Sequence, residues 1–228
     1  MSEQPPSAHP AGPGSLRLIV SLGLIAMISG LFIVLSVQLT KEKIAHNKQV
    51  ALEKAVFAVL PEASQIVKYR LDDSGLVKLP NEATDANVYA GYDAGGHLAG
   101  LAMEGAARGY QDVVKVLYGF SIEKQAIIGM TVLESTETPG LGDRANSDPE
   151  FHENFKNLDA SLTEDGSAVA NPIVTVKNGK KEHPWQIDGI SGATVTSTAI
   201  GNGMRESTNR LLPLLHKYQS SLEMNLNQ

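Results

Sequence analysis

Apolar and polar residues alternate with three different rhythms along this chain. The first is no alternation at all. From Leu18 to Val37 the run is apolar, has no charged residue, and is interrupted only by Ser21, Ser29 and Ser36, with Gly23 and Gly30 between them. At about 1.5 Å of rise per residue, roughly 20 residues cross a hydrocarbon core of about 30 Å. The run therefore predicts an uncleaved single-pass anchor over residues 15–39. A buried core helix would usually show a polar stripe. A cleaved signal peptide has a shorter apolar region ending at a small-x-small site, which Val37-Gln38-Leu39-Thr40 fits poorly.

The second rhythm is helical. Ile44, Val50, Ala51, Ala55 and Val59 recur at roughly helical spacing before Pro61, which predicts a stalk helix leaving the membrane, within residues 40–62. The third is strand-like. Short apolar segments at Ser64–Arg70, Gly75–Leu79, Asn87–Tyr92, His97–Glu104, Val113–Phe120 and Ala126–Leu133 are separated in several places by Gly, Asp and Asn. Connections this short exclude crossover helices, so the sheet should be mostly antiparallel. A helical stretch at Pro149–Leu158, a strand at Ala168–Val176 and a long helix from about Val195 to Leu222 complete the pattern, with Ala199, Ile200, Met204, Leu211, Leu212 and Leu215 facing the sheet. Tyr110 and Tyr118 read as packing residues of that sheet.

The expected fold class is α+β: an N-terminal transmembrane helix, then a mostly antiparallel sheet with a stalk helix and a long C-terminal helix. One domain, residues 63–222, follows the anchor and the stalk. Residues 1–14, rich in Pro, Gly and Ser, are expected to form a disordered tail, and 223–228 a second tail.

Composition narrows the function. The net charge is −6 and no long basic run occurs, so nucleic acid is excluded as a partner. With no cysteine, disulfides and cysteine-ligated zinc or iron–sulfur clusters are excluded, and a redox role would need another cofactor. His152 and His183 show no metal spacing, and no metal site is expected. No phosphate-binding Gly-x-x-x-x-Gly-Lys loop is present, and Gly201-Asn202-Gly203 does not follow a strand.

The chemistry concentrates in Asp188-Gly189-Ile190-Ser191-Gly192-Ala193-Thr194, followed by Val195-Thr196-Ser197-Thr198. Small residues allow close approach to a backbone, and Ser and Thr are good helix N-caps. A helix beginning here would aim free N–H groups and its positive end at a phosphate. A Thr hydroxyl at that place can be esterified by the same phosphate. On local physics alone a capped helix start with a tight turn is the better explanation of the segment, and four letters such as SGAT arise by chance in roughly one chain of this length in 200.

A second segment changes the balance. Asp188–Thr194 resembles the flavin-attachment motif of the FMN-binding domain family, and Glu137-Thr138-Pro139-Gly140-Leu141-Gly142 resembles that family's other signature. Both lie in order behind an anchor, and the resemblance covers the anchor and roughly residues 99–210. The combination is similar to the G subunits of Rnf electron-transport complexes, and to the related C subunits of the sodium-pumping NADH:quinone reductase. Those C subunits are typically longer between anchor and motif.

The resemblance implies FMN bound covalently through its phosphate to Thr194, delivered by a separate flavin transferase. Ser191, Gly192 and Ala193 would line the phosphate end, with Val195 and Thr196 adding contacts. Glu137, Thr138, Leu141 and Gly142 would lie near the flavin ring. Asp188 matches the motif aspartate, whose part is metal or base assistance during attachment, or local capping. Gly140 reads equally as a Pro-Gly turn, Glu134 as a solvated loop carboxylate, and Trp185 as flavin shielding, core or a partner-facing residue.

The implied function is electron transfer within a membrane-bound, ion-translocating ferredoxin:NAD oxidoreductase. No substrate pocket or general acid–base pair is evident, so no catalytic residue is assigned and independent turnover is not expected. Partners would be the other membrane and iron–sulfur subunits of the complex. Arg17 before the span, with Lys41, Lys43, Lys48 and Lys54 after it, would keep the domain in the cytoplasm by the positive-inside rule, a rule that weakens for long domains. The resemblance implies instead the bacterial inner membrane with the domain on the periplasmic side. The alternatives are a membrane-anchored extracytoplasmic binding domain without redox role, a stand-alone flavin reductase, and the C subunit of the sodium-pumping enzyme.

Overall fold

The structure, a computed structural model, describes residues 14–81 and 83–224, with side chains described as far as residue 218. All but Gly14 of the expected N-terminal tail, and all but 223 and 224 of the C-terminal one, lie outside the described residues.

The chain divides into two units, Met1–Gln49 and Val50–Gln228. Helix α1, Ser15–Val59, is the whole of the described first unit but Gly14 and enters the second. The expected anchor and stalk helix are thus one element. Nothing within residues 38–42 breaks it, because Gln38, Leu39, Lys41 and Glu42 are all good helix formers. Its N-terminal part is long and apolar enough to cross a membrane and is 0% buried. Among the described residues it is not a core helix.

The second unit is built on a seven-stranded antiparallel sheet in the order β2-β1-β3-β4-β5-β6-β7. The strands are β1 Gln65–Asp72, β2 Gly75–Lys78, β3 Val88–Tyr92, β4 Leu98–Arg108, β5 Val113–Ser121, β6 Ala126–Glu134 and β7 Leu158–Asp159. Strand β3 is buried at every position, so both faces of the sheet are covered.

On one face lies the C-terminal end of α1, where Ala55, Val56, Val59 and Leu60 join Tyr89, Ala102 and Leu117 in a small core. Glycines make its seat. Gly91 pairs with Gly100, and Gly119 with Gly129. A Cβ on Gly100 would come within 2.8 Å of Leu60, and one on Gly129 within 3.2 Å of Val59.

On the other face lies α3, Thr194–Met224. Its Ile200, Met204, Leu211, Leu212 and Leu215 enter the main core with Tyr118, Leu101, Met103 and Phe155. The face predicted from helical spacing is the one that packs. Gly201-Asn202-Gly203 lies inside this helix. Gly203 lets the helix backbone reach β4, since a Cβ there would stand 2.8 Å from the Ala106 nitrogen.

The less regular segments depart from expectation. The predicted helix Pro149–Leu158 stops early, as α2 Pro149–Glu153, capped by Asp148, which accepts from the Phe151 N–H. Leu158 belongs instead to β7, which pairs with β6. The strand expected over 168–176 shrinks to β8, Val174–Val176, plus an isolated bridge from Val169 to Leu162. Its partner β9, Gln186–Asp188, runs parallel to it in a separate two-stranded sheet. Strand β9 is too short and too polar to announce itself in the sequence. Glu134 ends β6 rather than sitting in a loop, and Tyr110 is 72% exposed between β4 and β5 while Tyr118 is buried.

Candidate functional site

Strand β9 ends at Asp188, and Gly189–Ala193 carry the chain to α3, whose first residue is Thr194. The expected Ser or Thr cap is absent, because Ala193 precedes the helix. Ser197 closes the turn from inside: its hydroxyl accepts from the Ile190 N–H at 3.0 Å and donates to the Ala193 carbonyl at 3.0 Å. The first helical bond runs from the Ser197 N–H to Ala193, and the Ala193 N–H turns back to Ile190. The N–H groups of Thr194, Val195 and Thr196 therefore have no acceptor within the helix. Thr194 and Val195 are exposed, as are Ser191 and Gly192, whereas Ala193 and Thr196 are buried. Gly192 has φ +82°, a conformation that favours glycine.

The Glu137–Gly142 segment lies against this helix start. Glu137, only 6% exposed, accepts a hydrogen bond of 2.5 Å from the Thr196 hydroxyl and one of 3.0 Å from the Gln111 N–H. Burial by itself would raise its carboxyl. The bonds from Thr196 and from the N–H groups of Gln111, Tyr110 and Asp112 outweigh burial and hold the carboxyl below its ordinary value. The positive end of α3 acts in the same direction. Gly142 is buried because it must be: a Cβ there would lie 2.5 Å from the Thr196 hydroxyl and 2.6 Å from Glu137. Gly140, with φ +77°, makes the turn that Pro-Gly predicts. Thr138 is half-buried and accepts from the Gln111 side chain at 2.8 Å. Leu141 projects outward, 52% exposed, as does Val195.

Asp188 is held on every side but one. Its N–H donates to Asn154 at 2.9 Å, its carbonyl accepts from the Asn154 amide at 3.1 Å, and Oδ2 accepts from the Gly179 N–H at 3.0 Å. Oδ1 is buried without a hydrogen-bond partner among the described residues. The residue lines a small cavity of about 150 Å³ that reaches Ser191, Arg144, Asp148 and Glu150. Among the described residues no group of three or more His, Asp or Glu could hold a metal ion. These bonds fix Asp188 between Asn154 and Gly179.

Arg144, Gln111 and Asn154 are site residues that sequence reasoning missed. Arg144 lies in the 3-10 turn Gly142–Asn146. It donates to the Ser191 carbonyl at 3.2 Å and to Asp148 at 2.7 Å. A basic residue just after the Glu137–Gly142 segment was the only available signal for it. Gln111 and Asn154 carried none, since both act through partners 26 to 34 residues away. Trp185 stacks on His183 with ring centroids 4.5 Å apart.

Three elements distant in sequence thus converge on the start of one helix. Residues 109–209, which contain all three, match the FMN-binding domain family. The G subunit of an ion-translocating oxidoreductase complex from Methanosarcina acetivorans is 26% identical over 84% of this chain and 91% of its own length. The chain is similar to such G subunits over most of its length. The G subunit of the Na(+)-translocating ferredoxin:NAD(+) oxidoreductase complex of Acetobacterium woodii is 32% identical, over 53% of this chain and 52% of its own length. Among solved structures, the C subunit of the Na(+)-translocating NADH-quinone reductase from Parabacteroides distasonis shares the fold. Its TM-score is 0.59 at 18% identity, covering 74% of this chain and 94% of that one.

Proposed function

We propose that this chain is an electron-transfer subunit of a membrane-bound, ion-translocating oxidoreductase of the Rnf type (ferredoxin:NAD), carrying FMN joined by a phosphoester to Thr194. The relatives named above support the class of complex. One observation carries the attachment site: Thr194 is exposed at the first position of a 31-residue helix whose leading N–H groups have no helical acceptor. Such a place favours a phosphate, and the nearby Arg144 adds a cation. The donor set fits the phosphate end of FMN. Leu141, Val195 and Tyr110, all more than half exposed, offer apolar surface to a flat ring.

Attachment forms a bond between the Thr194 oxygen and phosphorus and breaks the pyrophosphate linkage of FAD. AMP leaves and the hydroxyl proton is lost. A separate flavin transferase would supply that chemistry. Once bound, FMN supplies the redox chemistry. The protein's own contribution is position. Glu137 fixes the 137–142 segment to α3 through Thr196, and Ser197 fixes the turn before Thr194. The helix α1 serves as the anchor, and the domain lies on the periplasmic side of the inner membrane, beside the other membrane and iron–sulfur subunits.

The full chain, expressed with a flavin transferase and run on a denaturing gel under ultraviolet light, should give a fluorescent band that Thr194→Val abolishes. A band persisting in that variant removes Thr194 as the site. No band in the wild type, with the transferase shown active on another substrate, removes the covalent reading. A reporter fused after residue 228 that is active only in the cytoplasm contradicts the periplasmic placement.

A further inference from the structure

We propose that Arg144 is the counter-charge of the phosphate on Thr194, held ready at the start of α3 by Ser191 and Asp148. The proposal rests on the covalent-FMN reading and names a residue that acts on that group.

The cavity beside the attachment turn is acidic. Asp148, Glu150 and Asp188 line it, and among the described residues Arg144 is its only cationic lining residue. The chain as a whole carries −6. A phosphodiester brought to Thr194 adds another negative charge to this neighbourhood. The unpaired helix N–H groups offset part of it, but they are dipolar and their effect falls off within the first turn. A fixed guanidinium adds a formal charge, shared here with Asp148, and its planar fork suits phosphate oxygens.

Arg144 has the right place and the right freedom. It touches the carbonyl of Ser191, three residues before Thr194, so it stands at the turn from which the helix starts. Asp148 grips the other arm of the fork at 2.7 Å and is itself fixed as the cap of α2. The arginine is therefore oriented before any ligand arrives, which lowers the entropy lost on pairing. Its side chain is 46% exposed, and the two described bonds leave further N–H donors of the fork unspent. The 3-10 turn that carries it begins at Gly142, the residue packed against Thr196 and Glu137. Attachment helix and cation are thereby positioned by one contact.

The test uses the full chain in detergent, prepared with and without an active flavin transferase, as wild type, Arg144→Gln and Arg144→Lys. The readout is the rise in Tm between the unlabelled and the flavin-labelled form of each variant, at low and high salt, together with the 31P resonance of the labelled form. Expected is a rise in the wild type that falls to roughly half or less in Arg144→Gln, is largely kept in Arg144→Lys, and shrinks with salt. The 31P resonance should move in Arg144→Gln more than in Arg144→Lys. Labelling of Arg144→Lys with none of Arg144→Gln also supports the charge. Equal rises in wild type and Arg144→Gln overturn the proposal. So does an equal loss in both variants, which would make Arg144 only a clasp on the turn. If Arg144→Gln does not fold, the comparison of wild type with Arg144→Lys in salt and 31P decides: a salt-insensitive rise in both overturns it. An unlabelled wild type would be a failure of the Thr194 reading, and is seen before any variant is compared.

Discussion

At the scale of single residues, the contact between Glu137 and Thr196 decides how the site is assembled. A buried carboxylate is costly unless its oxygens are bonded, and here both are. Glu137→Gln keeps the shape but exchanges charge-assisted bonds for neutral ones, and an amide N–H must face a donor. The expected loss is about 1–3 kcal/mol. The pH dependence has a definite sign. The Glu137 carboxyl is held below its ordinary value of 4.5 in the folded protein, so its stabilisation is fully present above that value. It is lost as pH falls below it, when the folded protein takes up the proton. Urea midpoints of wild type and Glu137→Gln should therefore differ most near neutral pH and converge below about pH 4.5. A constant difference across the range would show that the charge contributes nothing. Carboxylates such as Asp72, Asp93 and Asp165, also held low by local hydrogen bonds, are common to both proteins and cancel. The sequence marked Glu137 and Thr196 only through a family resemblance. Neither spacing nor residue type says that a glutamate and a threonine 59 positions apart will meet.

At the scale of elements, the long helix and the central strands were legible, because their periodicity repeats over many residues. Ala199, Ile200, Met204, Leu211, Leu212 and Leu215 form the buried face that helical spacing predicts. Most of the short elements were not legible. Strands β7 and β9, of two and three residues, carry too little pattern and exist through their partners, and of the strand expected over 168–176 only β8 remains. Gly201-Asn202-Gly203 also looked like punctuation, yet it lies inside α3. At an exposed helix position Gly→Ala would gain about 1 kcal/mol from propensity. At Gly203 the added carbon meets the β4 backbone at Ala106, and backbone cannot move aside as a flexible side chain can. Overpacking of this kind costs about 1–3 kcal/mol, so Gly203→Ala should lower the unfolding free energy despite its better propensity. Chemical denaturation gives the sign directly, and a gain in stability would mean that α3 stands further from β4 than this contact requires. The displacement should also weaken flavin attachment, since the same helix presents Thr194.

At the scale of the whole molecule, α1 belongs to both units. Its apolar part is exposed throughout, while Val56 and Val59, with Leu60 just after it, are only 1% exposed in the core of the second unit. Burying each such side chain is worth about 1.5–3 kcal/mol, and domains of this kind are stable by about 5–15 kcal/mol in total. A chain beginning at residue 40 should fold and leave the membrane fraction, whereas one beginning at residue 62 should not give a cooperative unfolding transition. Calorimetry on both separates these outcomes, and a cooperative transition in the shorter chain would show that α1 is dispensable to the sheet. The sequence by itself determined what depends on runs of residues along the chain. Those features are the apolar span, the antiparallel character of the sheet, the long closing helix and the two segments that resemble a flavin-binding family. They follow from periodicity and local chemistry, which need no knowledge of distant partners. Only the tertiary structure decided how the span and stalk join into one helix, why glycines line the sheet beneath α1, and which side chains meet at the start of α3. Arg144 reaching Ser191, Gln111 reaching Glu137, and Asn154 bracing Asp188 are contacts across 26 to 47 positions. They are fixed by the packing of layers, which no local pattern encodes.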